Sequence, residues 1–266
     1  MPRVLTSIWL VLPVCAVATI SASYSEDGAS LRLQAQGLEP IEVPVAQDEA
    51  SSKRSVTLFS GLARVVETSA TAGEWYRQFC GVDGAALVRS DDDARTLSDD
   101  WRASRVSYQA SAFAGEEGRP REIPLDDGGT ILLVSQASVD ELNAQLAKRG
   151  LSPVDMSRFR PNLVVSDVAA HAEDEWLEVQ VGGATLTVER ACTRCSTVLV
   201  NQHTGLSDEA SNNNWLSKVL AKYRLLRADP AYGEFDLQGT KFGVYCTPTK
   251  GGEIRAGDAV RVLRRK

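Results

Sequence analysis

Cys192-Thr193-Arg194-Cys195 is the segment of this sequence whose residue types and spacing most directly suggest chemistry. Such a pair has several physical uses. It can be half of a zinc site, but there is no second C-x-x-C, and only His203 and Cys246 remain to complete four ligands. It can be a thioredoxin-like dithiol, yet that motif opens a helix, whereas β-type residues follow here. One thiolate can be a soft ligand to a redox metal, with the adjacent Arg194 favouring the ionised sulfur. Or both can be buried and inert. The spacing alone leaves these readings open.

Composition sets the frame. The chain has 266 residues, with 29 Lys+Arg against 35 Asp+Glu and a formal net charge of −6. That length allows one or two domains with a real core. A sequence pI near 5.1 argues against nucleic acid as a partner, because the broad positive field is missing. Five Cys in so long a chain are no disulfide framework, and His171 and His203 as the only histidines exclude a His-rich metal site. No G-x-G-x-x-G is present, so no dinucleotide site is expected.

The elements that must position the cysteines read mostly as short strands. Ser30–Gln34 and Ile41–Val45 alternate like half-buried strands, residues 46–55 read as a polar loop, and Val56–Val66 holds a short strand. Gly73–Phe79 reads as a helix ended by Gly81. Asp91, Asp92, Asp93, Asp99 and Asp100 match no calcium-loop spacing, so residues 91–124 read as a mobile, solvated linker. Beyond it, Thr130–Val134 is a buried strand, and Ser138-x-x-Glu141 is a capping box opening a helix that ends at Gly150. Leu163–Val165 is a strand, and residues 177–188 form a hairpin about Gly182-Gly183. Ser196–Val200 looks β-rich. A helix over 214–227 places Trp215, Val219, Tyr223 and Leu226 on one face, and strands follow at 242–247 and 259–263. Many short strands with few helices imply a largely antiparallel barrel.

Residues 1–23 form an apolar N-terminal segment, followed by 24–90, the linker 91–124 and 125–266 as further divisions. Val4–Ile20 can be a signal peptide cut near Ser21-Ala22-Ser23, a membrane anchor making contact through residues 4–20, or interior and inserted sequence of a truncated domain. His203 lies in a turn-like Asn-Gln-His-Thr-Gly segment and is expected to be exposed.

An ordered set of motifs surrounds the cysteines: Phe159-Arg160-Pro161-Asn162-Leu163-Val164-Val165, Ala172-Glu173-Asp174-Glu175-Trp176, Cys192-Thr193-Arg194-Cys195, Asn201-Gln202-His203-Thr204-Gly205, Tyr223-Arg224, Phe242-Gly243-Val244-Tyr245 and Gly257-Asp258-Ala259-Val260. This set resembles the MOSC domain, the module named for the C-terminal part of molybdenum-cofactor sulfurases. It is most similar to the branch of mitochondrial amidoxime-reducing components. The resemblance covers roughly residues 125–263, and residues 29–90 resemble the family's N-terminal barrel more loosely. It implies a mainly β fold with α elements, a β-barrel MOSC domain preceded by a partial N-terminal β-barrel-like domain. It further implies molybdenum with molybdopterin as cofactor, Cys195 as catalytic metal ligand, and Arg160, Asn162, Arg194 and Tyr245 as residues holding the pterin and its phosphate. Cys192 is then supporting. The implied reaction is reduction of small N-hydroxylated compounds with electrons from a heme-type carrier and a flavin reductase. A family-level association with pyridoxal phosphate binding comes with it, and a mitochondrial or membrane-associated location. The alternative is a non-catalytic cofactor-binding or sulfur-handling protein, or an inactive truncated paralogue. Two departures stand out: the family's Tyr-Pro-x-Lys-Ser strand is missing, and Val198 and Leu199 replace paired Thr after the second Cys.

Overall fold

The computed structural model describes residues 14–45, 53–58, 61–90, 131–208, 214–225 and 239–266. The expected linker 91–124, its Asp cluster and Val4–Pro13 lie outside the described residues. The described chain is mainly β, with twelve strands and three α-helices. It divides into two compact units, Met1–Asp127 with Gln202–Leu206, and Gly128–Asn201 with Ser207–Lys266.

The first unit contains two small antiparallel sheets. β1 (Ser21–Tyr24), β2 (Ser30–Gln34) and β3 (Ile41–Pro44) form one. Ser21, Ala22 and Ser23, which follow the apolar segment, lie in β1 and pair with Gln34, Leu33 and Arg32 of β2. β4 (Lys53–Leu58), β5 (Gly61–Glu67) and β6 (Val88–Ser90) form the other. The polar loop expected over 46–55 therefore gives way to strand at Lys53, since Lys53 and Arg54 extend a hairpin whose partners are Val66 and Val65. Helix α1 (Ala70–Cys80) is capped by Ser69, which accepts the Ala72 N–H at 3.0 Å. Gly81 ends it at φ 63°, where glycine carries no steric penalty. Trp75 and Tyr76 pack on Leu31, Leu33 and Val43, the inward positions of the alternating strands. The Trp75 indole N–H reaches the Glu39 carbonyl at 2.8 Å, so burial leaves no polar cost there.

A six-stranded curled sheet organises the second unit, in the order β12-β9-β10-β11-β7-β8. These are β7 (Ile131–Ser135), β8 (Leu163–Val165), β9 (Trp176–Val181), β10 (Ala184–Thr193), β11 (Lys241–Lys250) and β12 (Val260–Arg265). Every pairing is antiparallel except β7 with β8, which helix α2 (Gln136–Ala147) connects as a crossover. Apolar clusters lie on both faces: Leu132 and Val134 join one and Leu133 the other, which is why β7 reads as an uninterrupted apolar run. β10 is bulged between Val188 and Arg190, so Val188, Glu189 and Arg190 are buried in succession and the alternation breaks.

Three local expectations are corrected. Helix α2 is capped by Ser135 rather than by the Ser138 box, because Ser135 is the last extended residue and its hydroxyl accepts the Ser138 N–H at 3.3 Å. Ser196–Leu199 is a turn of 3₁₀ helix, not strand, since the chain must reverse after β10. In helix α3 (Trp215–Tyr223) the buried face is Leu216, Val219 and Leu220, leaving Trp215 exposed; Leu226 lies outside the described residues.

Gly243 sits in β11 at φ 78°, and a Cβ there would fall 2.7 Å from the Leu133 carbonyl oxygen of β7. Neither strand backbone can yield without breaking the ladder. Gly243→Ala is expected to cost about 2–4 kcal/mol in urea unfolding. Gly251→Ala, with open space around it, should stay within about 0.5 kcal/mol. Equal costs would show that the β7–β11 approach is not set by Gly243.

Candidate functional site

The site grows from the 3₁₀ turn Met156–Phe159, which opens on Asp155 and closes on Arg160. An Asp155 carboxylate oxygen accepts the Ser157 N–H at 2.7 Å. Phe159 is fully buried and stacks on Phe242 of β11 with ring centroids 4.1 Å apart. Arg160 then takes a left-handed conformation, φ 54° and ψ 45°, and its side chain is exposed. Two residues on, Asn162 grips β7. Its Oδ1 accepts the Leu132 N–H at 2.8 Å and its own N–H donates to the Leu132 carbonyl at 2.9 Å.

Arg194 joins this turn to the cysteines. Its Nη1 donates to Cys192 Sγ at 2.8 Å and its Nη2 to the Phe159 carbonyl at 2.9 Å, with the guanidinium carbon 5.5 Å from the Phe159 ring centre. Segments more than thirty residues apart in sequence are thereby held together. Cys192 is buried and Cys195 exposed, so the two thiols stand in different environments. Both are free. The Cys195 Sγ lies 3.1 Å from Thr197 Oγ1.

Tyr245 of β11 completes the buried side. Burial pushes its phenol well above the ordinary range, the charge of the Cys192 sulfur and then its hydrogen bond with Cys192 add to this, and Arg190 and Arg194 offset only part of it. The hydroxyl is therefore a neutral hydrogen-bonding group at any working pH. Arg190 packs its guanidinium 4.8 Å from the Tyr245 ring centre. The structure thus brings Arg194, Cys192, Tyr245 and Phe159 together, with Arg160 following Phe159 in the chain and Cys195 exposed. The Asn162 side-chain oxygen ties this segment to the sheet.

Sequence reasoning missed two cations. Arg190 is buried beside Tyr245, and its signal was a charge inside an otherwise alternating strand. Arg158 is also buried, paired with Asp208 and donating to the Val198 carbonyl at 3.3 Å. His203 is exposed in a turn, as expected. The zinc reading lacks its donors: among the described residues no three His, Cys, Asp or Glu gather as a metal site. Cys192 and Cys246 belong to different apolar clusters of the sheet.

The Ala172–Trp176 motif is structural. Glu173 is fully buried and accepts from the Ser135 N–H at 3.3 Å and the Ser138 hydroxyl at 3.2 Å, fixing the start of α2. Asp174 pairs with Arg224 at 2.8 Å and Lys241 at 2.9 Å. Burial raises its pKa, but the two cations outweigh this and hold it below the usual carboxylate range. His171 beside them is pushed down to about 4, by burial first and then by Arg224, with Asp174 opposing and Lys241 adding to the depression.

An unfolded histidine takes up its proton near 6.5, whereas folded His171 resists until about 4. Between these values the unfolded chain binds more protons, so stability falls as pH is lowered across that window. His171→Gln should flatten this part of the pH dependence in urea melts. An unchanged slope would mean that the imidazole is charged in the fold.

The sequence of residues 120–261, just over half of the chain, matches the MOSC domain. Over 230 residues the chain is 28% identical to Mitochondrial amidoxime reducing component 2 of Rattus norvegicus, covering 86% of this chain and 62% of that protein. Over 196 residues it is 32% identical to Mitochondrial amidoxime-reducing component 1 of Mus musculus, covering 72% of this chain and 50% of that one. Molybdenum cofactor sulfurase of Oryza sativa subsp. japonica is 33% identical over 143 residues, 50% of this chain and 17% of the rice protein. The chain thus spans between half and two thirds of the length of the two amidoxime-reducing relatives. With a C-x-R-C turn and an R-P-N turn tied through one guanidinium inside the matched region, the chain belongs to the MOSC domain family.

Proposed function

We propose that this protein binds molybdenum with molybdopterin and uses it to reduce small N-hydroxylated compounds. Its family and relatives support a function connected with the molybdenum cofactor. The observation that carries the finer reading is the asymmetry of the cysteines. Cys195 is an exposed free cysteine, while Cys192 is buried and already bonded by Arg194.

The donor set suits such a group. A single soft thiolate fits a redox metal whose other sulfurs come from the pterin. Arg160 and Arg194 would hold the phosphate through charge-assisted bonds. Tyr245, like any tyrosine near neutral pH, would present a neutral phenol, and burial moves its ionisation still further away. Asn162 would act through the loop, by holding the R-P-N turn against β7. When bound, the cofactor supplies a two-electron centre able to accept an oxygen atom. The net change takes R–NHOH, two electrons and two protons to R–NH2 and water. The electrons would come from a heme-type carrier and its flavin reductase. A second reading, cofactor binding without turnover, is favoured by Val198, which is buried and apolar where the family carries a hydroxyl.

Two sets of variants test this. Cys195→Ser should abolish amidoxime reduction and molybdenum content while pterin is largely kept, because a hydroxyl is a hard, poorly ionised ligand. Cys192→Ser keeps an acceptor for Arg194 and should be milder. Turnover that survives Cys195→Ser, or zinc in the purified protein, would overturn the reading. Arg160→Ala and Arg194→Ala should each weaken pterin retention on dialysis by about 1.5–3 kcal/mol, tenfold or more. Full retention in both would remove these residues from the site. Molybdenum bound without turnover by the unaltered protein would favour the second reading.

A further inference from the structure

The turn after Cys195 carries no hydroxyl at 198 or 199, yet the Cys195 sulfur is not without one. Thr197 Oγ1 stands 3.1 Å from Sγ. We propose that Thr197 is a positioning residue for Cys195, its hydroxyl donating to the sulfur and selecting one side-chain rotamer of this exposed cysteine. The proposal rests on the reading of Cys195 as the metal ligand.

Three observations support it. First, the hydroxyl has a fixed platform. The Thr197 carbonyl accepts the Val200 N–H at 3.1 Å, and the next carbonyl, that of Val198, accepts from the buried Arg158 at 3.3 Å. Second, the neighbouring positions cannot supply the contact. Val198 is 1% exposed in the cluster with Leu216, Val219 and Leu220, and Leu199 packs against the same cluster. Third, the Cys195 side chain makes no cap bond to the turn that it precedes, leaving its sulfur to the Thr197 hydroxyl. In the free thiol either atom can donate. A metal-bound sulfur has no proton, so only the hydroxyl can then donate, and the bond becomes one-directional and charge-assisted. Such a partner fixes a ligand's orientation and draws charge from it.

The test uses the full chain with isotope-labelled cysteine. Hα–Hβ couplings of Cys195 in the ligand-free protein report its rotamer, and molybdenum and pterin per chain are measured after dialysis of protein made in a cofactor-producing host. The unaltered protein should show one dominant Cys195 rotamer. Thr197→Val should average the rotamers and lower molybdenum retention roughly three- to tenfold, the range expected for one hydrogen bond, with pterin retention unchanged. Thr197→Ser should restore both, whereas adding Val198→Thr to Thr197→Val should not, since that side chain points into the core. Circular dichroism checks that each variant is folded. A Thr197→Val protein that keeps the single rotamer overturns the proposal, and so does a Thr197→Ser protein that behaves like Thr197→Val. If the unaltered protein retains no molybdenum, the functional reading fails, while the rotamer measurement still decides the role of Thr197.

Discussion

Arg194 donates from one nitrogen to Cys192 and from another to the Phe159 carbonyl, and the arrangement of the site follows from that pair of bonds. A planar guanidinium makes two directed contacts at once, which a lysine cannot reproduce. One contact pins the cysteine turn and the other pins the turn that presents Arg160. The Phe159 ring beneath is held in turn by Phe242, so the bridge stands on the apolar core rather than on a loop. A site whose parts come from distant segments needs such a tie, because each turn alone is too short to hold its own geometry.

A second, polar seam holds the same unit together away from the cysteines. Glu173 joins the start of α2 to the turn before β9, and Asp174 joins that turn to the end of α3 and to β11. Buried charges are expensive singly and tolerable when paired and hydrogen-bonded. Here one carboxylate faces two cations and the other accepts from a backbone N–H and a hydroxyl. The seam therefore specifies which elements meet more than it adds net stability.

Elements with strong local signals were legible in the sequence. The β9–β10 hairpin follows from alternation about Gly182-Gly183, and β7 from its apolar run. The cysteine motif announced the site. What periodicity could not show were features decided by three-dimensional partners. The bulge that buries Glu189 and Arg190 depends on the register with β11. The 3₁₀ turn over Ser196–Leu199 overrides residues of β propensity because the chain must turn back. Asn162, named from the motif as a cofactor contact, also accepts the Leu132 N–H, a bond invisible without the fold. The cap of α2 shifted from Ser138 to Ser135 for the same reason, since Ser138 is drawn instead to Glu173.

The left-handed backbone of Arg160 has an evolutionary consequence. A residue with a Cβ pays about 1–2 kcal/mol in that region, and the following Pro161 restricts the local choices further. Selection on backbone strain alone would favour glycine at such a position, because glycine enters this region without a Cβ clash. Selection for the side chain would have to oppose it. If Arg160 holds the cofactor phosphate as proposed, lineages that lose the cofactor should shed this arginine early, and relax the backbone strain of the turn in doing so. The codon at position 160 would then serve as a record of whether a descendant still uses the site.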